Sequence, residues 1–324
     1  MERRSIWSSA IAAAAIFAGA MLAQTEAAAE VPESKDPIKL VLLDWTGNHL
    51  TNHIAGELLS RMGYGVEYVT TAQAPAWQGL GDGSLHVQME QWLVTQRKVY
   101  DELKGAGKIM DLGLLGLQGR EAWYYPTYLE KDCPGLPAID ALKKCAGLFQ
   151  TAETAPKGRL VDFPEEWTPE SPQWIDAFGL DLVAIPAGGE GSIIAEIKSA
   201  YAREQPVLVM FYEPHWVFSD FEMRAVDLPG WDAACESDPA WGPIADKTMD
   251  CYQPNPTIVK VAWSGFAEKW PAAAKLLGAF ALSNDEQAPL IKRVDVDGEA
   301  LEAVAKDWVD KNEAKWKPWV DGSM

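Results

Sequence analysis

The sequence predicts an α/β protein built as two lobes around a cleft. Three observations lead there. Strand and helix signals alternate along the first part of the chain, the character of the sequence changes near residue 118, and the length is ample for two separate cores.

The N-terminus reads as an export segment. Arg3 and Arg4 precede an alanine-rich apolar run, Ile6 to Ala23, and Ala27-Ala28-Ala29 offers a small-residue cleavage site. The run is near the lower limit of spanning length and only weakly apolar, which argues against a membrane anchor. Residues 1–29 are therefore expected to be a cleaved signal peptide, with a mature periplasmic chain starting near Glu30. About 295 residues remain. Arg3 and Arg4 cancel Glu2 and Glu26, so the mature chain keeps the full net charge of −19. That charge excludes nucleic acid as a partner, because phosphate neutralisation needs clustered Lys and Arg. It favours solubility and, mildly, the approach of cations.

The elements follow in order. Lys39 to Leu43 is a strand run ended by Asp44-Trp45-Thr46-Gly47, and a helix from His49 to Met62 carries Ile54, Leu58 and Leu59 before the stop at Gly63. Gly65 to Val69 is the next strand, Trp77 to Leu80 marks a second helix, and Leu85 to Met89 a third strand. This is the βαβ pattern of a parallel sheet. Beyond Leu117 come an aromatic-dense stretch (Arg120 to Tyr128), helices at Ile139 to Gly147 and Ile193 to Arg203, and a strong strand at Pro206 to Phe211. A Pro-rich region, 229–256, precedes a strand at Thr257 to Ala262 and three helix candidates up to Trp319. The expected division is a discontinuous lobe I, 30–118 plus 222–324, with lobe II, 119–221, inserted between crossings near residues 118 and 222.

Cys133, Cys145, Cys235 and Cys251 make an even count in an exported chain, which argues for disulfides. Three pairings are possible. The local one, Cys133–Cys145 and Cys235–Cys251, closes short loops and is the expectation, each bridge adding on the order of 3 kcal/mol. A metal site is disfavoured, because there is no C-x-x-C and no histidine at ligand spacing.

The chemistry lies in the aromatics. All but one of the fifteen tryptophans follow the export segment. Trp263, Trp270, Trp308, Trp316 and Trp319 fall on helices or beside a strand and read as packing. A second set reads differently. Trp45 and Trp92 follow strands, Trp123 sits in the aromatic stretch, Trp167 is in the loop Phe163-Pro164-Glu165-Glu166-Trp167, and Tyr212 and Trp216 follow the strand ending at Phe211. A lone indole after a strand is usually packing, but ligands of parallel α/β sheets bind outside the carboxyl ends of the strands, and several rings sent there converge on one crevice. Aromatic faces attract cations, each with about 0.5–1 kcal/mol when exposed and 2 or more when dry. A quaternary ammonium group is the best occupant, having no N–H donors to satisfy. A sugar, the competing partner of aromatic platforms, needs more hydrogen-bonding side chains than this set offers.

Leu58-Leu59-Ser60-Arg61-Met62-Gly63-Tyr64, Gln88-Met89-Glu90-Gln91-Trp92, Pro206-Val207-Leu208-Val209-Met210-Phe211-Tyr212-Glu213-Pro214-His215-Trp216 and Trp270-Pro271-Ala272-Ala273-Ala274-Lys275-Leu276-Leu277 carry a resemblance to a known family. They resemble substrate-binding proteins of glycine betaine/choline/proline betaine-type ABC transporters, and the likeness spans nearly the whole mature chain. It implies a two-lobe periplasmic-binding-protein fold (type II), an aromatic cage, delivery to a membrane permease, no cofactor and no catalysis. By position, Trp92 resembles the family's first cage tryptophan and Trp167 the one from the second lobe's loop. Tyr212 or Trp216 corresponds to the one after the Pro206 strand. Trp45 resembles a cage position of choline- and trimethylamine N-oxide-type members, and Trp123 lies next to an aromatic position of those members.

Family betaine sites often place a basic or imidazole side chain a turn after the first cage tryptophan; here that residue is the uncharged Gln96. Glu121, two residues before Trp123, is read either as a surface ion-pairing residue or as a carboxyl beside the cage. In the second case it repels a ligand carboxylate and suits choline, or the oxygen of trimethylamine N-oxide with one proton shared between them. Trimethylamine N-oxide is the leading expectation, with glycine betaine and choline as alternatives. A periplasmic sensor module for the same ligands is a further alternative. An exported hydrolase is disfavoured by the lack of G-x-S-x-G and H-E-x-x-H. His49 and His53 have no third metal ligand in view, His215 is expected to orient the cage loop, and Asp295 to Glu299 to cap a helix.

Overall fold

The computed structural model describes residues 31–324. The signal-peptide expectation falls on residues 1–29, outside the described residues. Two five-stranded sheets organise the chain. The first contains β1 (Ile38–Leu42), β2 (Val66–Thr70), β3 (Val87–Trp92), β4 (Ile109–Leu114) and β10 (Ile258–Trp263), in the order β2-β1-β3-β10-β4. The second contains β5 (Arg120–Pro126), β6 (Gly158–Asp162), β7 (Leu182–Pro186), β8 (Val209–Glu213) and β9 (Met223–Ala225), in the order β7-β6-β8-β5-β9. In each, three parallel strands are followed by a strand running antiparallel to them. That antiparallel strand, β10 in one sheet and β5 in the other, is the first strand laid down after the chain crosses over. The two-lobed α/β expectation is thus the fold found.

The chain crosses between the two sheets twice. The first falls between β4 and β5. The second comes later than residue 222, because β9 pairs with β5 through Tyr124↔Ala225 and Pro126↔Met223. The segment after β9 also stays with the second lobe, where Val226 N–H bonds the Trp123 carbonyl. The crossing therefore lies nearer β10. A three-residue strand carries too little periodicity to be seen in sequence.

Helices α1 (Thr46–Arg61), α2 (Gln73–Asp82) and α3 (Arg97–Gly105) connect the strands of the first sheet. Helices α4 (Ile139–Cys145), α5 (Ser171–Phe178), α6 (Glu190–Arg203) and the short α7 (Val217–Asp220) belong to the second lobe. Five helices, not three, close the chain: α8 (Phe266–Lys269), α9 (Pro271–Ala279), α10 (Asn284–Asp295), α11 (Leu301–Lys311) and α12 (Glu313–Asp321). A capping box, Ser283 with Glu286, starts α10. The inner strand β1 is buried on both faces, so Ile38, Leu40 and Val41 are all inaccessible, as a covered parallel strand requires. Both disulfides follow the local pairing, Cys133–Cys145 and Cys235–Cys251.

Candidate functional site

The carboxyl ends of four parallel strands meet between the lobes. Trp45 follows β1, Trp92 ends β3, Phe163 and Trp167 follow β6, and Tyr212 lies at the end of β8. Trp92 is a strand residue here, because β3 runs three residues further than Met89. Trp45 and Trp167 meet edge to face across the cleft, centroids 5.4 Å apart at 76°. Trp92 and Tyr212 do the same at 5.3 Å and 72°. Phe163 backs Trp167 at 5.1 Å. The Trp45–Trp167 and Trp92–Tyr212 pairs each couple one lobe to the other with the quadrupole-favoured geometry. These rings surround a cavity of about 60 Å³, also lined by Gln73, Gln91, Thr95, Gln96, Glu121, Glu170, Met210 and Gln253.

Glu90 holds the first lobe's rings in place. Its Oε1 accepts the indole N–H of Trp45 at 2.8 Å and of Trp92 at 3.1 Å. Its Oε2 accepts from Thr51 Oγ1 at 2.7 Å and from Gln287 Nε2. Burial pushes this carboxyl above its ordinary range, and the four donors pull it back. All four bonds are ones a carboxylate accepts, and none needs a carboxyl proton. A negative charge behind two indole N–H groups also makes the opposed ring faces more attractive to a cation. Glu90 lies in the stretch Gln88-Met89-Glu90-Gln91-Trp92, but nothing in its own sequence pattern marks it; its place on a strand between two strand-end tryptophans is set by the fold.

In the second lobe, Pro164 and a single 3-10 turn, Glu165–Trp167, present Trp167, with Trp167 N–H bonded to the Pro164 carbonyl at 2.9 Å. Across the mouth, Thr95 Oγ1 donates to the Trp167 carbonyl at 3.1 Å and Gln96 Nε2 to Thr168 Oγ1 at 3.1 Å. Gln96 Oε1 meanwhile accepts from Trp77 Nε1 at 3.0 Å, so its polar groups are engaged by protein. The crossing segment packs tightly on the site: a Cβ at Gly119 would come within 2.8 Å of the Trp92 ring.

Glu121 lines the cavity and is not an ion-paired surface residue; its Oε2 accepts from Gln253 Nε2. Burial pushes it up to about 7, against the Gln253 bond and aided by the negative charge of Glu170. Glu170, also on the wall, is raised mainly by burial. Among the described residues, no lysine, arginine or histidine lines this cavity.

Two sequence-predicted site residues do not line this cavity. Trp123 is 1% exposed, bonds Ser171 Oγ at 2.9 Å and packs against Trp174 at 5.4 Å. It shares a strand face with Glu121 but lies one pleat deeper, opposite Met210, which lines the cavity. Trp216 is 2% exposed and donates to Asp295 Oδ2 at 2.8 Å, beyond the strand end and away from the cavity. Of the two rings after the Pro206 strand, Tyr212 lines this cavity and Trp216 does not. Phe163, Glu170 and Gln253 are lining residues that sequence reasoning missed. His53 stacks on Tyr68 at 3.8 Å and 11°, a packing role. Asp295 ends α10 but bonds Thr46 and Trp216 instead of capping its helix.

Two sheets of this topology with an aromatic, acidic cleft at their strand ends define a two-lobed substrate-binding protein. The chain belongs to the family described as the substrate binding domain of the ABC-type glycine betaine transport system, whose profile matches residues 36–311. This is a family of solute-binding proteins, not enzymes. The chain is 28% identical over 295 residues to the trimethylamine N-oxide-binding protein of Pelagibacter ubique (strain HTCC1062), covering 89% of this chain and 91% of the relative. Among solved structures it resembles the glycine betaine/L-proline-binding protein ProX of Borrelia burgdorferi (TM-score 0.70, 18% identity, 89% of this chain and 100% of that one). It is equally similar to an ABC-transporter choline-binding protein in complex with choline (TM-score 0.70, 15% identity, 90% and 93% covered).

Proposed function

We propose that this protein captures trimethylamine N-oxide outside the cytoplasmic membrane and delivers it to the permease of an ABC transporter. The observation that carries the reading is a small cavity walled by Trp45, Trp92, Trp167 and Tyr212, with Glu121 on its edge and no basic side chain. The rings take the methylated nitrogen. Three or four dry faces give roughly 4–8 kcal/mol before association costs are subtracted, enough for micromolar capture. The N-oxide oxygen needs a donor. Glu121, poised near neutral pH, supplies a proton to share with it. Glycine betaine fits less well, because its carboxylate meets two glutamates and no cation. Choline is the second reading, favoured by the same acidic wall, whose carboxylates can accept its hydroxyl. The name of the Pelagibacter relative agrees with the N-oxide. Two disulfides agree with an oxidising compartment and an exported chain.

Calorimetry with the three compounds tests the proposal. Tightest binding is expected for trimethylamine N-oxide; tighter binding of glycine betaine would reverse the ranking, and no binding of any would end the reading.

A further inference from the structure

A buried cluster of polar groups joins the lobes behind the cage. Thr46 opens α1 and Asp295 closes α10, both in the first lobe; Glu190 opens α6, and His215 and Trp216 follow β8, all in the second. Thr46 N–H donates to Glu190 Oε2 at 2.9 Å, and Trp216 Nε1 donates to Asp295 Oδ2 at 2.8 Å, each bond crossing between lobes. Thr46 Oγ1 donates to Asp295 Oδ1 at 2.8 Å. His215 sits between the carboxylates, its Nε2 3.5 Å from Glu190 Oε1 and 3.8 Å from Asp295 Oδ2. The imidazole is fully buried and Nε2 has no hydrogen-bond partner at these separations. The approach of the lobes is close: a Cβ on Gly189, whose φ is +153°, would lie 2.8 Å from Asp44 Oδ2.

One histidine and two carboxylates within reach of each other also resemble a metal site. The imidazole argues otherwise. Its Nδ1 accepts the Val217 N–H at 3.2 Å, so the ring proton of the neutral form sits on Nε2 and points at the carboxylates. A metal on Nε2 would need that proton moved to Nδ1, against the Val217 N–H.

We infer that Asp295 and Glu190, bridged by Thr46, His215 and Trp216, form a clasp that holds the lobes closed, making Asp295 an affinity-setting positioning residue that never touches ligand. Two carboxylates from opposite lobes repel unless donors lie between them, and the closed form supplies one to each across the cleft, the Thr46 N–H to Glu190 and the Trp216 N–H to Asp295, with the His215 ring lying between the two. Opening breaks those two bonds and returns the carboxylates to water through the adjoining crevice, which Asp44, Thr46, Glu190, Lys198 and Asp295 help line. The clasp is also tied to the cage. Thr46 follows Trp45 in sequence, and Tyr212 Oη donates to Glu190. Opening the clasp therefore moves two cage rings.

The clasp rests on the ligand reading above, and stopped-flow tryptophan fluorescence separates the two. The full chain is mixed with trimethylamine N-oxide, glycine betaine and choline in turn. In Asp295→Ala, the off-rate of whichever compound the wild type binds should rise about tenfold or more, while the on-rate stays within about threefold. Asp295→Asn, which keeps an acceptor for Trp216, should recover part of the slow release. Trp216→Phe, which removes one indole N–H and keeps the ring, tests the same contact should the alanine variant fold poorly. Unchanged off-rates in variants of a wild type that binds would overturn the clasp alone. A wild type that binds none of the three would overturn the ligand reading. Tighter binding on adding zinc to chelator-treated wild type would make the cluster a metal site and also overturn the clasp.

Discussion

Trp45 and Trp92 donate their indole N–H groups to one and the same oxygen atom, Glu90 Oε1. Two rings from different strands thereby share one hinge point, and their faces stay aligned toward the cavity. Glu90→Gln keeps the volume but removes the charge and turns one oxygen into a donor, which must clash with Thr51, Gln287 or the indoles. Affinity should fall about tenfold or more, equivalent to about 1.4 kcal/mol. Calorimetry measures it, with apo melting temperature as the control for folding.

Trp92→Ala and Trp123→Ala should part company. The first removes a cage face and should cut affinity at least about tenfold while the unliganded protein melts nearly as before. The second empties a core site under Met210 and should cost about 3–5 kcal/mol of stability. Thermal melts with and without ligand read the difference. A Trp92→Ala variant that unfolds would assign that ring to the core.

Binding of trimethylamine N-oxide should weaken as pH rises through about 7, where Glu121 gives up the proton it shares with the oxygen. Choline binding should strengthen over the same range, because the deprotonated wall attracts its cation. Glu121→Gln, always a donor, should flatten the profile for the N-oxide. The same shift has a sign for stability. In the unfolded chain Glu121 loses its proton near the ordinary glutamate value of 4.5, whereas the folded chain keeps it until about 7. The unfolded state therefore binds fewer protons in that window, and this residue's contribution to stability declines as pH rises through it. Calorimetric titrations from pH 5.5 to 8.5 would expose a profile that runs the other way.

Reducing Cys133–Cys145 and Cys235–Cys251 should lower the melting temperature, with about 2–5 kcal/mol lost per bridge. Neither bridge touches the cavity, so ligand affinity at 25 °C should be little changed in protein that remains folded. Melting curves with and without a reductant check the first statement and calorimetry the second.

Much of this architecture was legible before any coordinates. Strand and helix alternation and the strand-end positions of Trp45, Trp92 and Tyr212 follow from local pattern, because period-two and helical spacing are properties of neighbouring residues, and the choice among the three cysteine pairings rests on short loops. What tertiary structure decided was direction and depth. Trp123 and Glu121 lie on one face of β5, yet only Glu121 reaches the cleft, because a single pleat separates the sheet's edge from its covered interior. Trp216 resembles Tyr212 in sequence but turns past the strand end to meet Asp295, a partner from the far end of the chain. Glu90's role, and the short strand that moves the second crossing beyond Ala225, likewise depend on which distant segments come to lie side by side. A sequence can say that a ring sits at the end of a strand; whether that ring meets solvent, a ligand or another core is settled by what the opposite lobe places against it.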